Sequence, residues 1–154
     1  MTDKAICDSA CLIGLDGIDR LDLLEKVFSS VTVPTEVQAE FGELPSWIVV
    51  TDVSNRPLVA ALSTQLGAGE SGAIALAYEL LGGLIVLDDR KARRIAQQLG
   101  LKFIGTVGVI LRAKRLGHIL EVRSILDALL AVDFRMSSSL YDEAVRLAGE
   151  AHLK

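Results

Sequence analysis

Residues 66–94 read LGAGESGAIALAYELLGGLIVLDDRKARR, and two sites that exclude each other can be drawn on them. Gly67, Gly69 and Gly72 spell G-x-G-x-x-G, and the apolar run 84–87 downstream stops at Asp88 and Asp89. That pattern suits a dinucleotide-binding turn followed by an acid for the ribose. Alternatively, the glycines are a turn between helices, and Glu70, Asp88 and Asp89 belong to a carboxylate site. A dinucleotide turn needs a strand that runs directly into its first glycine. Here the preceding residues, RPLVAALSTQL (56–66), set Leu58, Leu62 and Leu66 four apart, which is helical spacing. A P-loop is excluded because Ala73 follows Gly72 where Lys is required. The glycines are therefore expected to form a turn between two helices, with Gly67 as a C-cap. A dinucleotide-binding oxidoreductase becomes a remote alternative that a strand over 57–66 would revive.

The rest of the chain sets the frame for a carboxylate site. Its 154 residues are 51% hydrophobic and 23% charged, with only 3 Pro, as expected of one folded domain. Asp3 and Lys4 precede a short apolar run, which does not read as a signal peptide, and no apolar stretch is long enough to span a bilayer. A cytoplasmic protein without a membrane segment is expected. Cys7 and Cys11 lack the further Cys or His that a zinc set needs, so they read as small buried thiols. His118 and His152 stand alone.

Short runs at 4–7, 31–33, 47–50, 84–87 and 102–104 read as strands, separated by helical patterns. Unalternating Ile, Val and Leu suit strands covered on both faces, which predicts an α/β fold with a central, mainly parallel sheet. In such sheets ligands gather beyond the carboxyl ends of the strands. Asp8 follows the first run, Asp88 and Asp89 follow the fourth, and Asp52 follows the third more loosely, ahead of a loop-like VSNRP. Each is equally a helix N-cap. Glu70 shares a helix face with Ile74, Ala77 and Leu81, pointing it toward the sheet, whereas Glu79 falls on the solvated side. Pro34 opens a helix with an apolar stripe of Val37, Phe41 and Leu44, and Glu40 flanks that stripe more closely than Glu36 or Glu43.

Asp8, Glu40, Glu70 and Asp88 or Asp89 thus approach one edge of one sheet. Crowded carboxylates repel, and a hard divalent cation relieves them. Without His or Cys donors, Mg²⁺ or Mn²⁺ is favoured over zinc, which fits phosphodiester hydrolysis. Charge is distributed accordingly. The net charge is −4, yet residues 90–123 hold nine Lys/Arg against one acid, while residues 1–89 hold four against fourteen. Arg90, Lys91, Arg93 and Arg94, directly after Asp89, are candidate phosphate contacts on a nucleic acid; a solvated helix face is the plainer alternative.

Four stretches carry a family resemblance: CDSACLIGL (7–15), VPTEVQAEF (33–41), GAGESGAIALAYELLGGLIVLDDRKARRIAQQLGL (67–101) and GTVGVILRAKRLG (105–117). In order and spacing they resemble PIN-domain proteins, in a prokaryotic branch related to VapC-type toxins. The resemblance covers about residues 4–120, and the tail with RMSSSLYDEAVRLAGE (135–150) is also similar to that branch. It implies a single three-layer α/β/α domain over 1–154, with a core of about 4–120 and a helical extension of about 121–150. It implies Mg²⁺- or Mn²⁺-dependent RNA cleavage, a small protein antitoxin, and acids at Asp8, Glu40, Glu70 and Asp88 or Asp89. Relatives often have Thr-x-Asp at the fourth position, favouring Asp89, whereas the strand end favours Asp88.

The chain departs from the pattern in having Ser9-Ala10 where Thr-Ser is usual, so Ser9 must supply any hydroxyl contact. Glu70 stands where many toxins have Asp. Thr106 is expected near the site. A catalytically weak PIN-like module that binds RNA or protein is the main alternative. The apolar ILDALLAVDF (125–134) suggests a homodimer, although core burial explains it equally well.

Overall fold

The computed structural model describes residues 3–150; His152 lies outside the described residues. In chain order the elements are β1 (Lys4–Cys7), α1 (Ser9–Gly17), α2 (Asp22–Val27), β2 (Ser30–Pro34), α3 (Thr35–Phe41), β3 (Ile48–Thr51) and α4 (Arg56–Leu62). They continue with α5 (Ala68–Leu80), β4 (Leu84–Val86), α6 (Arg90–Gln98), β5 (Phe103–Ile104), α7 (Thr106–Arg115), α8 (Val122–Ala131) and α9 (Ser138–Leu147). All five runs expected as strands are strands. They form one sheet in the order β3-β2-β1-β4-β5, and every pairing is parallel.

The period-two alternation of side chains divides the central strands β1 and β4 between two cores. Ala5, Cys7, Leu84 and Val86 face one core, built with α1, α2, α7, α8 and α9. Ile6, Ile85 and Leu87 face the other, built with α4, α5 and α6. The result is the expected three-layer α/β/α arrangement. Helix α3 follows β2 without a loop and contacts both α1 and α5.

The strand order places a switch point between β1 and β4. From β1 the chain moves to β2 on one side, and β4 returns on the other. Crossovers diverge there and leave a crevice at the carboxyl ends. The first residues beyond those ends are Asp8 and, one residue after Leu87, Asp88. The Asp8 backbone N–H still donates to the Val86 carbonyl at 3.2 Å, which ties the two chain exits together.

Residues 57–62 are helical and no strand lies within 57–66, so the dinucleotide reading is overturned. The glycines do sit between two helices, but Gly67 is not a C-cap. Helix α4 ends at Leu62 with Ser63 as its C-cap, while Gly67 is the N-cap of α5 with φ −67° and ψ 167°. Leu66 falls outside α4 although it is buried, and Leu44 falls outside α3.

The stripe expected to carry Glu70 also ends early. Leu81 follows α5 in the left-handed region (φ 55°) and is 85% exposed, because the chain must turn sharply into β4. Glu79 is more than a solvated acid. Its carboxylate accepts from the backbone N–H groups of Ser54 and Asn55, both at 2.9 Å, and these hold it below the usual carboxyl range. Cys7 and Cys11 are buried free thiols, as expected.

Candidate active site

Asp8 is 1% exposed and caps α1, its Oδ1 accepting from the Cys11 backbone N–H at 3.2 Å. The cap is worth about 1 kcal/mol to the helix, but it does not offset the setting. Burial, then the neighbouring Asp88 carboxylate, then Glu70 push the Asp8 carboxyl up from 3.8 to about 7, against opposing hydrogen bonds from the Cys11 and Asp88 N–H groups. Glu70 is raised as well, by burial first, then by Asp89 and Glu40, although the Gly67 N–H donates to its Oε1 at 3.3 Å. Asp88, Asp8, Glu70, Glu40 and Asp89 are thereby linked as one repelling set. Among the described residues none of the five forms an ion pair.

The two candidates for the fourth position are held differently. Asp88 accepts from the Thr106 backbone N–H at 2.9 Å and from the Thr106 hydroxyl at 2.6 Å, which fixes its rotamer and caps α7. Thr106 is fully buried, so the polar group expected near the site is there. Asp89 is the N-cap of α6 and accepts from the Ala92 N–H through Oδ2 at 2.9 Å. The Asp88 charge acts on Asp8, and the Asp89 charge acts on Glu70.

Glu40 reaches the set from α3. The Ser9 hydroxyl donates to its Oε1, and the Gly69 backbone N–H donates to its Oε2 at 3.2 Å. Glu40 is exposed, while the Glu36 side chain, beneath Arg56 and against Gly72, is 13% exposed. Their roles also separate by charge. Arg56 Nη2 lies 2.8 Å from Glu36 Oε2 and neutralises it, whereas Glu40 meets a serine, a glycine N–H and another acid. Asp52 stays out; its side chain is 79% exposed and accepts from the Thr35 hydroxyl at 3.1 Å.

A cleft of about 300 Å³ is lined by Asp8, Ser9, Ile13, Glu40, Gly69 and Glu70. Larger hollows of about 630 and 660 Å³ lie around Tyr78 and Arg112 and around Arg20 and Leu120, but each gathers only one carboxylate. Chemistry rather than size therefore selects the smaller cleft. Among the described residues, however, no three acids, histidines or cysteines stand close enough together to form a ready metal set.

Arg93 is committed elsewhere in part. Its Nε donates to the Leu87 carbonyl at 2.7 Å, and its guanidinium lies 5.2 Å from the centroid of the Phe103 ring. Arg90, Lys91 and Arg94 are exposed on α6 and form no ion pair among the described residues. Sequence reasoning reaches neither Gly69 as a neighbour of Glu40 nor Arg56 as the partner of Glu36. The spacing of Glu36 and Glu40, four apart against Gly72 and Gly69, is a signal for the first; nothing in the sequence points to Arg56.

A parallel sheet between two helical layers, with repelling acids at its switch point, places the chain in the α/β class with a carboxylate site. A sequence profile described as a PIN domain matches residues 4–150, and the chain belongs to the PIN-domain family. The match runs through α8 and α9, so these helices lie within the family region. Neither a curated protein nor a solved structure gives a significant match. No helix among the described residues is long and apolar enough to cross a membrane.

Proposed function

We propose that this chain is a Mg²⁺- or Mn²⁺-dependent endoribonuclease, the toxin-like component of a toxin–antitoxin pair. The observation that carries the reading is Asp8: a buried carboxyl pushed up to about 7, beside Asp88 and Glu70, with no ion pair among the described residues. Burying such a charge is costly unless something compensates it. The donors are carboxylate oxygens, which suit a hard divalent cation. Asp8, Glu40, Glu70 and either Asp88 or Asp89 would hold it. When bound, such an ion polarises a phosphodiester and makes water a better nucleophile.

The chain's own groups supply the remainder. Thr106 orients Asp88, and Ser9 with the Gly69 N–H orients Glu40. Asp8, raised to about 7 by burial and its acid neighbours, would give up its proton on binding the cation and serve as a ligand carboxylate. Arg90, Lys91 and Arg94 bind backbone phosphates, with Arg93 contributing only the part of its guanidinium left by Leu87 and Phe103. A cytoplasmic homodimer restrained by a small protein antitoxin completes the reading, on the resemblance to VapC-type proteins.

One observation favours a second reading, a PIN-like module that binds RNA or protein without cutting: the described acids form no ready set of three. Purified protein, freed of any inhibitor, is incubated with a mixed pool of structured RNA in Mn²⁺, Mg²⁺ or EDTA, alongside Asp8→Asn. Cleavage that disappears in EDTA and in the variant is expected. Mn²⁺ binding without cleavage gives the lead to the binding module.

A further inference from the structure

We propose that Gly69 is a positioning residue for Glu40, and that the absence of its side chain is what admits Glu40 to the acid set. This rests on the metal-dependent nuclease reading above. A Cβ built on Gly69 collides with Glu40 Oε1, and it stands 2.8 Å from the Ser9 hydroxyl and 3.2 Å from Glu40 Cδ. The same residue donates its backbone N–H to Glu40 Oε2. Gly69 thus supplies both a hydrogen bond and the room to make it, in the first turn of α5. Its backbone is ordinary helix, so the glycine is not required by a left-handed turn. What an alanine there would meet is the tip of a flexible side chain, and that tip is a candidate ligand.

Gly72 makes the useful contrast. A Cβ there stands 2.8 Å from Glu36 Oε1 and 3.1 Å from the Pro34 ring. Glu36 is already neutralised by Arg56, and a proline ring cannot swing aside. Two of the three glycines that mimicked a nucleotide fingerprint therefore seat α3 against α5 at two levels. Gly72 sets how closely the helices pack, and Gly69 sets where Glu40 ends.

The test measures Mn²⁺ affinity by electron paramagnetic resonance, and thermal midpoints, for wild type, Gly69→Ala, Glu40→Asp and the double variant. Gly69→Ala is expected to melt near wild type and to bind Mn²⁺ about tenfold or more weakly, as when a group supporting a ligand is lost. The shorter side chain of Glu40→Asp leaves space for the methyl of Gly69→Ala, so the double variant binds more tightly than the two separate losses combined would allow. Wild-type affinity in Gly69→Ala, independent losses in the double variant, or failure of Gly69→Ala to fold would each overturn the proposal.

A second measurement needs no change at Gly69. The Gly69 amide proton resonance shifts upfield in Glu40→Gln if the carboxylate accepts from it; an unmoved resonance denies the contact. Absence of Mn²⁺ binding by wild type would defeat the nuclease reading instead, leaving the amide resonance to decide the contact.

Discussion

Asp8 joins three properties in one side chain: it ends a strand, caps a helix and buries a charge. Its carboxyl ionises at about 7 in the fold against an ordinary value of 3.8. Below about pH 4 it is protonated in both folded and unfolded chains and costs nothing. As pH rises toward about 7 only the unfolded chain gives up the proton, so the Asp8 contribution to stability falls and stays low above that. Asparagine caps as well as aspartate. Asp8→Asn is therefore expected to melt above wild type at pH 8 in EDTA, with the difference vanishing toward pH 4 in a thermal scan. Adding Mn²⁺ raises the wild-type midpoint and leaves the variant's unchanged. Asp8, Asp88 and Asp89 are legible in sequence because each closely follows an apolar strand run. Of Glu36 and Glu40, Glu36 is the more buried, which the α3 periodicity does not show, because it reveals a stripe but not what covers it. Their surroundings depend on how closely α5 approaches, which residues distant in sequence decide.

Helix α6 begins with cations at four of its first five positions, Arg90, Lys91, Arg93 and Arg94, where the helix dipole favours anions. Asp89 offsets part of that cost as its cap. Changing Arg90, Lys91 and Arg94 together to Gln is expected to weaken RNA binding and lower the salt slope by about one for each phosphate no longer neutralised. Fluorescence anisotropy at several salt concentrations reads both quantities. Arg93→Ala acts differently, costing about 1–2 kcal/mol of stability because it removes the hydrogen bond to Leu87 and the cation over the Phe103 ring. That distinction is invisible in the run RKARR, since helical phase alone does not reveal Phe103 underneath.

At the other end of the molecule, α8 has no side-chain cap of its own. Glu150 serves instead, accepting from the Val122 and Arg123 N–H groups at 2.8 and 3.1 Å and from Lys114 at 2.7 Å. Burial pushes its carboxyl up, but Lys114 and these N–H groups outweigh it and hold it below 4.5. Its contribution is present above the unfolded value and is lost as pH falls through the lower folded one. Glu150→Gln should lose about 1–3 kcal/mol at pH 7 by chemical denaturation, with the difference shrinking below about pH 4.

For the whole molecule, parallel topology is legible because the strand runs are apolar at successive positions, the signature of a sheet covered on both faces. The strand order is not, since nothing in LIVL or KAIC says that β1 and β4 are neighbours. That adjacency, with the β2 crossover leaving on the opposite side, creates the crevice and sets Asp8 against Asp88. It also explains how a chain of net charge −4 could engage RNA: acids gather at the crevice, and the exposed cations of α6 begin directly after Asp89. The most direct measurement is the chemistry of the cut ends, taken by mass spectrometry on a defined RNA treated with wild type in Mn²⁺, wild type in EDTA, and Asp8→Asn. Hydrolysis by water is expected to leave linear phosphate ends only with wild type and Mn²⁺. Ends bearing a 2′,3′-cyclic phosphate, or cleavage that persists in EDTA or in Asp8→Asn, would contradict the carboxylate site.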